Sequence, residues 1–519
     1  MYSFLIILAV IALLALAAFL SVYLQAEPAT RKIKSFSFKI SDDQKKTQID
    51  HYWDKISENA TGKHALALID QNIDAFAARV ISARMAGRSL DLMYYMWNAD
   101  LTGTLLTNEI IEAADRGVRV RLLVDDLGAS IPDRAFHAID QHRNIELRLF
   151  NPTRARENRV RRLAELAVRF RSVNRRMHNK AWIADGRVLI TGGRNIGDAY
   201  FDASEHSNFR DFDLIAYGGV VQDAQTIFDD YWNSAVSFPI RSLLARRKNK
   251  LAKLRRRLRQ HANSEAARPY IDRVTRQVQS GALLSIEKLH WTDFADVLAD
   301  PPEKAAGKRR NGRNFLMETL LPVIEDAQNK LQITSPYFVP GKQGSKRISE
   351  IAKRGVDIQI LTNSLAATDV AAVHAGYARY RKPLLRSGVK LFELRSLFDN
   401  EKMSLRGSGQ ASLHTKAFAR DNETAFIGSL NFDPRSASLN TEMGVLFRST
   451  GLIAEMDEIF KLETERAMSF EVTLNDDGKL NWLGLRSGQD HAFTREPDAN
   501  LGRRILVHLM RFLPLESQL

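Results

Sequence analysis

Met177-His178-Asn179-Lys180-Ala181-Trp182-Ile183-Ala184-Asp185, followed by Gly192-Gly193-Arg194-Asn195, returns later in the chain as Leu413-His414-Thr415-Lys416-Ala417-Phe418-Ala419-Arg420-Asp421, followed by Gly428-Ser429-Leu430-Asn431. Both stretches read HxKxxxxD, six intervening residues, then G-[GS]-x-N. With 12 histidines in 519 residues, roughly 0.05 chance matches to HxKxxxxD are expected. Two matches with the same trailing turn mark a duplicated functional element.

In an extended segment, side chains at i and i+2 share a face, so His178 projects with Lys180 and His414 with Lys416. An imidazole beside an ammonium suits an anion. Asn195 and Asn431, presented from Gly-rich turns, add neutral donors for a phosphate. Facing each other, the two stretches would hold one phosphate between two histidines, two lysines and two asparagines. One imidazole then attacks phosphorus in line while the other protonates the leaving oxygen, and a second acceptor resolves the phosphohistidine. The lysines and asparagines stabilise charge on the non-bridging oxygens. Asp185 and Asp421 complete the catalytic set of the motif, with bracing of the loop as their alternative role.

Each histidine also needs a carboxylate to orient it through its other nitrogen. Glu442 lies 28 residues after His414, and Asp211 lies 33 residues after His178 with Asp213 as fallback, so the spacing pairs each carboxylate with the histidine of its own half. There is no HExxH, no cysteine and no carboxylate cluster at ligand spacing, so neither a metal nor another cofactor is expected.

The doubled motif resembles that of the phospholipase D superfamily. Tyr94-Tyr95-Met96-Trp97, Ala113-Ala114-Asp115-Arg116-Gly117-Val118, Ser335-Pro336-Tyr337-Phe338-Val339-Pro340 and Ala372-Val373-His374-Ala375-Gly376-Tyr377 resemble the bacterial cardiolipin synthases, in the branch typified by cardiolipin synthase C. The resemblance covers the chain from about Gly62 onward. It implies a phosphatidyltransferase with His178 as nucleophile and His414 as acid and base, although the near-symmetric sequence leaves that order reversible. It implies phospholipid partners: phosphatidylglycerol as acceptor, and either a second phosphatidylglycerol or phosphatidylethanolamine as donor. A small accessory protein is a further partner known in the family. The rivals are a phospholipase D that hands the same intermediate to water, a metal-independent nuclease, and a non-catalytic scaffold. Two intact motifs argue against the scaffold, and nucleic acid is not the expected partner.

The net charge of +14 favours an anionic partner such as a membrane surface. Met1 to Leu24 carries no charged side chain; at 1.5 Å per residue such a helix spans about 36 Å, enough for the hydrocarbon core. It reads as one transmembrane anchor in a bacterial inner membrane. Arg31, Lys32, Lys34 and Lys39 follow it and nothing basic precedes it, which places the catalytic body in the cytoplasm, with the periplasm as the other option.

The expected fold class is α/β: two phospholipase D-like α/β domains related by a pseudo-two-fold axis, after the single N-terminal transmembrane helix. The expected segments are an anchor at 1–25, a juxtamembrane linker at 26–61, a first domain at 62–240 and a basic amphipathic insert at 241–280. A second domain at 281–470 and a C-terminal extension at 471–519 complete the chain. In the first half a helix is expected over Ala65 to Ala86, a strand from Ser89, a helix through Leu105 to Arg116 stopped at Gly117, and a strand from Val118. The second half repeats this: a helix from Phe315, a strand from Leu331, a helix from Ser345 stopped at Gly355, and a strand from Val356. Strand, helix, strand is a parallel crossover unit. From Arg241 to Gln260 ten residues are Lys or Arg and none is acidic, with Leu243, Leu244, Leu251, Leu254 and Leu258 near one helical face. That pattern suggests docking on an anionic bilayer.

Overall fold

The computed structural model describes residues 37–40, 46–58, 60, 62–153, 155–156, 159–244, 250–280, 286–308, 315–396, 411–512 and 516. The expected anchor, Met1 to Leu24, lies outside them. Among the described residues no helix is long and apolar enough to cross a membrane.

The first half contributes β1 (His64–Ile69), β2 (Ser89–Tyr94), β3 (Arg119–Asp125), β4 (Ile145–Phe150), β5 (Ala181–Ala184), β6 (Val188–Gly192), β7 (Asn208–Arg210), β8 (Asp213–Gly218), β9 (Ser237–Pro239) and β10 (His290–Thr292). All but β7 form one sheet, in the order β10-β1-β8-β6-β5-β2-β3-β4-β9. The second half contributes β11 (Ala295–Ala299), β12 (Lys330–Thr334), β13 (Asp357–Asn363), β14 (Lys390–Leu394), β15 (Ala411–Leu413), β16 (Ala417–Arg420), β17 (Thr424–Gly428), β18 (Met443–Phe447), β19 (Ser469–Leu474), β20 (Leu480–Arg486) and β21 (Gln489–Phe493). Its sheet runs β11-β18-β17-β16-β12-β13-β14-β19-β20-β21, which matches the first from β1 to β9 strand for strand. In each sheet only the crossover strands β2-β3-β4 and β12-β13-β14 are parallel.

Local chemistry explains the repeat. The helix Leu101–Asp115 ends at Gly117, whose φ of 102° is the left-handed conformation that stops a helix without a side-chain penalty. Gly117 N–H donates to Ala114 O and Val118 N–H to Ala113 O, which turns the chain into β3. Gly355, at φ 95°, does the same after the helix Gly341–Lys353. Strand alternation then sorts the core. Ala181 and Ile183 on β5, with Ala417 and Ala419 on β16, fill a cluster shared by the two halves, whereas Trp182 and Phe418 point outward under the helices. Small residues at the shared layer let the two sheets approach.

Several boundaries differ from expectation. Ala65 to Ile69 forms β1, and the helix begins only at Asn72, because antiparallel pairing with β8 and β10 outweighs the helical spacing of Leu68 and Ile69. Within the linker expected at 26–61, Gln48–Ser57 forms a helix. Thr47 and Asp50 cap the helix Gln48–Ser57, and Asp50 accepts from Arg88 at 2.5 and 2.9 Å and from Arg187 at 2.9 Å. Strand β10, expected in the second domain, belongs to the first sheet. Strands β19 to β21 continue the second sheet across residue 471, so the expected extension is part of that domain. The basic insert forms the helices Leu251–Ala262 and Arg268–Ser280, and Leu251, Leu254 and Leu258 pack into the first-domain core. Its apolar stripe is therefore spent on the protein and not offered to a bilayer.

The aspartates that end each motif serve this fold. Asp185, at the far end of β5 from His178, accepts the backbone N–H groups of Gly87, Arg88 and Ser89 at 2.7 to 3.2 Å. Asp421 takes those of Gln328, Asn329 and Lys330 at 2.7 to 3.0 Å, and these amides hold its carboxyl below the usual carboxylate range. Both brace turns of the fold, the alternative role that the sequence left open for them. Asp185→Ala should lower unfolding stability by about 3 kcal/mol, because three amides lose a charged acceptor in a buried turn. Asp421→Ala, in a wetter turn, should cost about 1 kcal/mol. Denaturant titration checks both, and activity per folded molecule should survive.

Candidate active site

Short backbone pairings between the halves build the site. Strands β7 and β15 pair in parallel across the interface, as do Met177 and Thr441. His178 N–H donates to Thr441 O at 2.8 Å, Thr441 N–H to Arg176 O at 2.9 Å, and His414 N–H to Arg210 O at 2.7 Å. The segment entering each histidine is thus held by the other half.

The carboxylates follow the same exchange. His178 Nδ1 lies 2.8 Å from Glu442 Oε2, and His414 Nδ1 lies 2.6 Å from Asp211 Oδ2. Each histidine is oriented from the opposite half, which replaces the within-half pairing expected from the spacing. The fallback Asp213 is instead held by Arg79 at 2.9 Å.

The two pairs are unequal. His178 Nδ1 also lies 3.1 Å from the carbonyl oxygen of Ser429, so both of its neighbours are acceptors. The ring proton therefore sits on Nδ1, and Nε2 presents a lone pair. Ser429 Oγ donates to Glu442 Oε2 at 2.5 Å and accepts from Met443 N–H at 3.0 Å. At the equivalent position of the first half, Gly193 leaves room for Asp211; a Cβ there would sit 2.2 Å from Asp211 Oδ1. Burial pushes the Asp211 carboxyl up to about 6, against the pull of Lys416. Burial acts on Glu442 too, but His178, Lys180 and the Ser429 hydroxyl outweigh it and leave that carboxyl below its ordinary value. Burial also lowers both imidazoles, His414 the more strongly, with Lys416, Lys180 and His178 adding to its shift.

Lys180 and Lys416 are each 1% exposed, and their ammonium groups donate to the carbonyl oxygens of His178 and His414. Burial draws Lys180 down to about 7 and Lys416 to about 8, opposed by Glu442 and Asp211. A cationic centre so poorly solvated is stabilised by an anion between the two lysines. Asn195 accepts from Met96 N–H at 3.2 Å and donates to the Tyr200 hydroxyl at 2.8 Å. Asn431 Oδ1 is buried with no hydrogen-bond partner among the described residues.

Aromatic rings complete the walls. Tyr95 sits edge-on to His178 at 5.2 Å, and Tyr200 and Phe209 pack on His414 at 5.2 and 5.0 Å. Tyr94, Trp97 and Phe338 are core residues, while Tyr337 donates to Asp369. His374 is buried against Arg381 and Glu496, which makes it structural. Sequence reasoning gave no role to Ser429, Tyr200 or Phe209; the contrast of Gly193–Asp211 with Ser429–Glu442 was the available signal for Ser429. Among the described residues no group of three or more His, Cys, Asp or Glu is placed to hold a metal ion.

The family described as cardiolipin synthase, PLD-like domain, matches residues 81–232 and 320–463, one copy in each half. Cardiolipin synthase C of Escherichia coli (strain K12) is 38% identical over 464 residues, covering 88% of this chain and 96% of its own length. Cardiolipin synthase 1 of Bacillus anthracis is 25% identical over 411 residues, 78% of this chain and 68% of its own length. Among solved structures, phosphatidylserine synthase of Haemophilus influenzae Rd KW20 shares the fold at a TM-score of 0.57 and 12% identity, over 90% of this chain and 99% of that one. The chain belongs to the family of cardiolipin synthase, PLD-like domains, and is a phospholipase D-type phosphatidyltransferase.

Proposed function

We propose that the protein makes cardiolipin from phosphatidylglycerol and a second phospholipid through a phosphatidyl-histidine at His178. The product is read from the 38% identity to cardiolipin synthase C over 88% of the chain, and the order of the two histidines from their unequal bonding. His178, with its proton held on Nδ1 by Glu442 and the Ser429 carbonyl, is poised to attack through Nε2. His414 Nδ1 faces Asp211 at 2.6 Å, a carboxyl that burial pushes up to about 6, and in our reading this pair carries the proton to and from the reacting oxygens.

The bonds balance without any other reactant. His178 Nε2 forms a bond to phosphorus as the bond to the donor headgroup oxygen breaks, and that oxygen takes a proton from His414. The primary hydroxyl of an acceptor phosphatidylglycerol then attacks phosphorus, His414 takes back the proton, and the P–N bond breaks. Lys180, Lys416 and the carboxamides of Asn195 and Asn431 face the non-bridging oxygens. One phosphodiester is exchanged for another. The apolar run Met1 to Leu24, with its basic flank, supports an inner-membrane anchor and a cytoplasmic body.

Purified protein in chelator-containing mixed micelles should convert labelled phosphatidylglycerol, alone or with phosphatidylethanolamine, to cardiolipin. His178→Ala and His414→Ala should each lower the rate by about 10³-fold or more. Phosphatidic acid as the sole product would make the enzyme a hydrolase.

A p-nitrophenyl phosphodiester separates the two histidines, because its leaving group departs without a proton. His414→Ala should still release one equivalent of p-nitrophenol and accumulate a phosphohistidine at residue 178, while His178→Ala releases none. The opposite pattern would reverse the assignment.

The lysines set a pH dependence. A bound anion favours their ammonium forms, so it raises pKa values that stand at about 7 and about 8 in the empty site. Affinity is then full below pH 7 and falls as pH rises through 7 to 8, by up to about tenfold per unit for each lysine. Calorimetric titration with short-chain phosphatidylglycerol, below its micelle concentration, should show weakening affinity and proton uptake in that window. A flat affinity across it would remove the lysines from phosphate binding.

A further inference from the structure

Two helices carry their apolar faces outward. In Arg159–Val168, Val160 and Leu163 lie on one exposed stripe, while the only acid, Glu165, is turned inward to accept from Ala155 N–H at 2.9 Å and from Arg169. In Leu501–Met510 and the turn after it, Leu501, Ile505, Leu509 and Phe512 fall within about 80° of one another at 100° per residue. These four side chains are 51–76% exposed, whereas Val507 is buried. The charged groups of this helix turn back to the protein: Arg503 donates to Thr368 O and Arg504 to Glu496 O. A helix packed only on its own domain would show the reverse pattern.

Both helices stand at the end of the sheets where the histidines lie. The first occupies the connection from the end of β4 to His178. The second packs on the helix Ala371–Tyr377 and on Leu365, in the connection that leaves the end of β13. Asn363, the last residue of β13, brackets Leu413 beside His414 with two hydrogen bonds of 2.9 Å. One helix comes from each half of the protein, and the site lies between their connections.

We propose that these two helices are the bilayer-docking face of the enzyme, seating the active site on an anionic phospholipid surface. This rests on the reading of the substrate as a phospholipid. Charge selects the occupant. Residues 159–169 hold four arginines against one buried acid, and residues 501–512 hold three arginines and no acid. Outward apolar stripes on two segments of net positive charge match an anionic lipid interface. The helix Leu251–Ala262, richer in charge, lacks a free apolar face and is not part of the surface.

The absence of cysteine from the chain makes the test direct. Single substitutions Leu163→Cys, Ile505→Cys and Leu509→Cys in the full chain, with Asp477→Cys as control, are labelled with a nitroxide. The protein is reconstituted into vesicles containing phosphatidylglycerol or phosphatidylcholine only. The three test labels should become accessible to oxygen and shielded from a polar relaxant in phosphatidylglycerol vesicles, while the control label stays aqueous. Labels that stay aqueous in anchored protein would overturn the proposal. So would labels already shielded without lipid, by a second copy or by the protein's own N-terminal stretch. Ile505→Glu with Leu509→Glu should lower turnover of vesicle phosphatidylglycerol at least tenfold and leave turnover of a soluble phosphodiester unchanged. Equal loss on both substrates would overturn the docking role, and no turnover of either by the unaltered protein would instead refute the phospholipid reading.

Discussion

Each imidazole in this enzyme is governed by a carboxylate from the other half: His178 by Glu442 and His414 by Asp211. Neither half contains a complete histidine–carboxylate pair, so the candidate site exists only where the halves meet. The backbone reinforces the exchange, since Thr441 binds the segment entering His178 and Arg210 the one entering His414. The small residues of the shared layer permit that approach, with Ala181, Ala417 and Ala419 where bulk would hold the sheets apart.

Burying two lysines, two carboxylates and two histidines in one place is costly unless their charges compensate. The ammonium groups are offset by Glu442 and Asp211, and the carboxylates in turn are bound by the imidazoles. The compensation is incomplete, because both lysines remain depressed and Asp211 remains raised. In the proposed reaction the phosphodiester anion of the substrate supplies the missing charge. Within this nearly symmetric frame, one small change separates the histidines: Glu442 reaches Ser429, whereas the shorter Asp211 lies against Gly193. A difference of one methylene and one hydroxymethyl group thus gives the two copies of the same motif unequal surroundings.

Much of this was legible in the sequence. The doubled motif, its spacing and the repeated strand–helix–strand units led to two α/β halves and to the histidines, lysines and carboxylates that the structure brings together. What the chain order could not carry was which half each carboxylate serves, since spacing along the chain is silent about contacts across an interface. The same limit hid the roles of Asp185 and Asp421, whose partners are amides about 90 to 100 residues away in sequence. The stripe of Leu251, Leu254 and Leu258 was legible as an amphipathic helix, but its partner was the first-domain core and not a membrane. Conversely, nothing in the sequence announced that the helices Arg159–Val168 and Leu501–Met510 turn their apolar faces outward, because burial depends on what the fold sets against them.

The crossed pairing is tested most directly by nitrogen-15 NMR of selectively histidine-labelled protein. The Nδ1-bound proton of His178 should resonate far downfield, lose that shift in Glu442→Gln and keep it in Asp211→Asn, while the signals of His414 respond to Asp211→Asn alone. The reverse pattern, with each histidine responding to the carboxylate of its own half, would contradict the account.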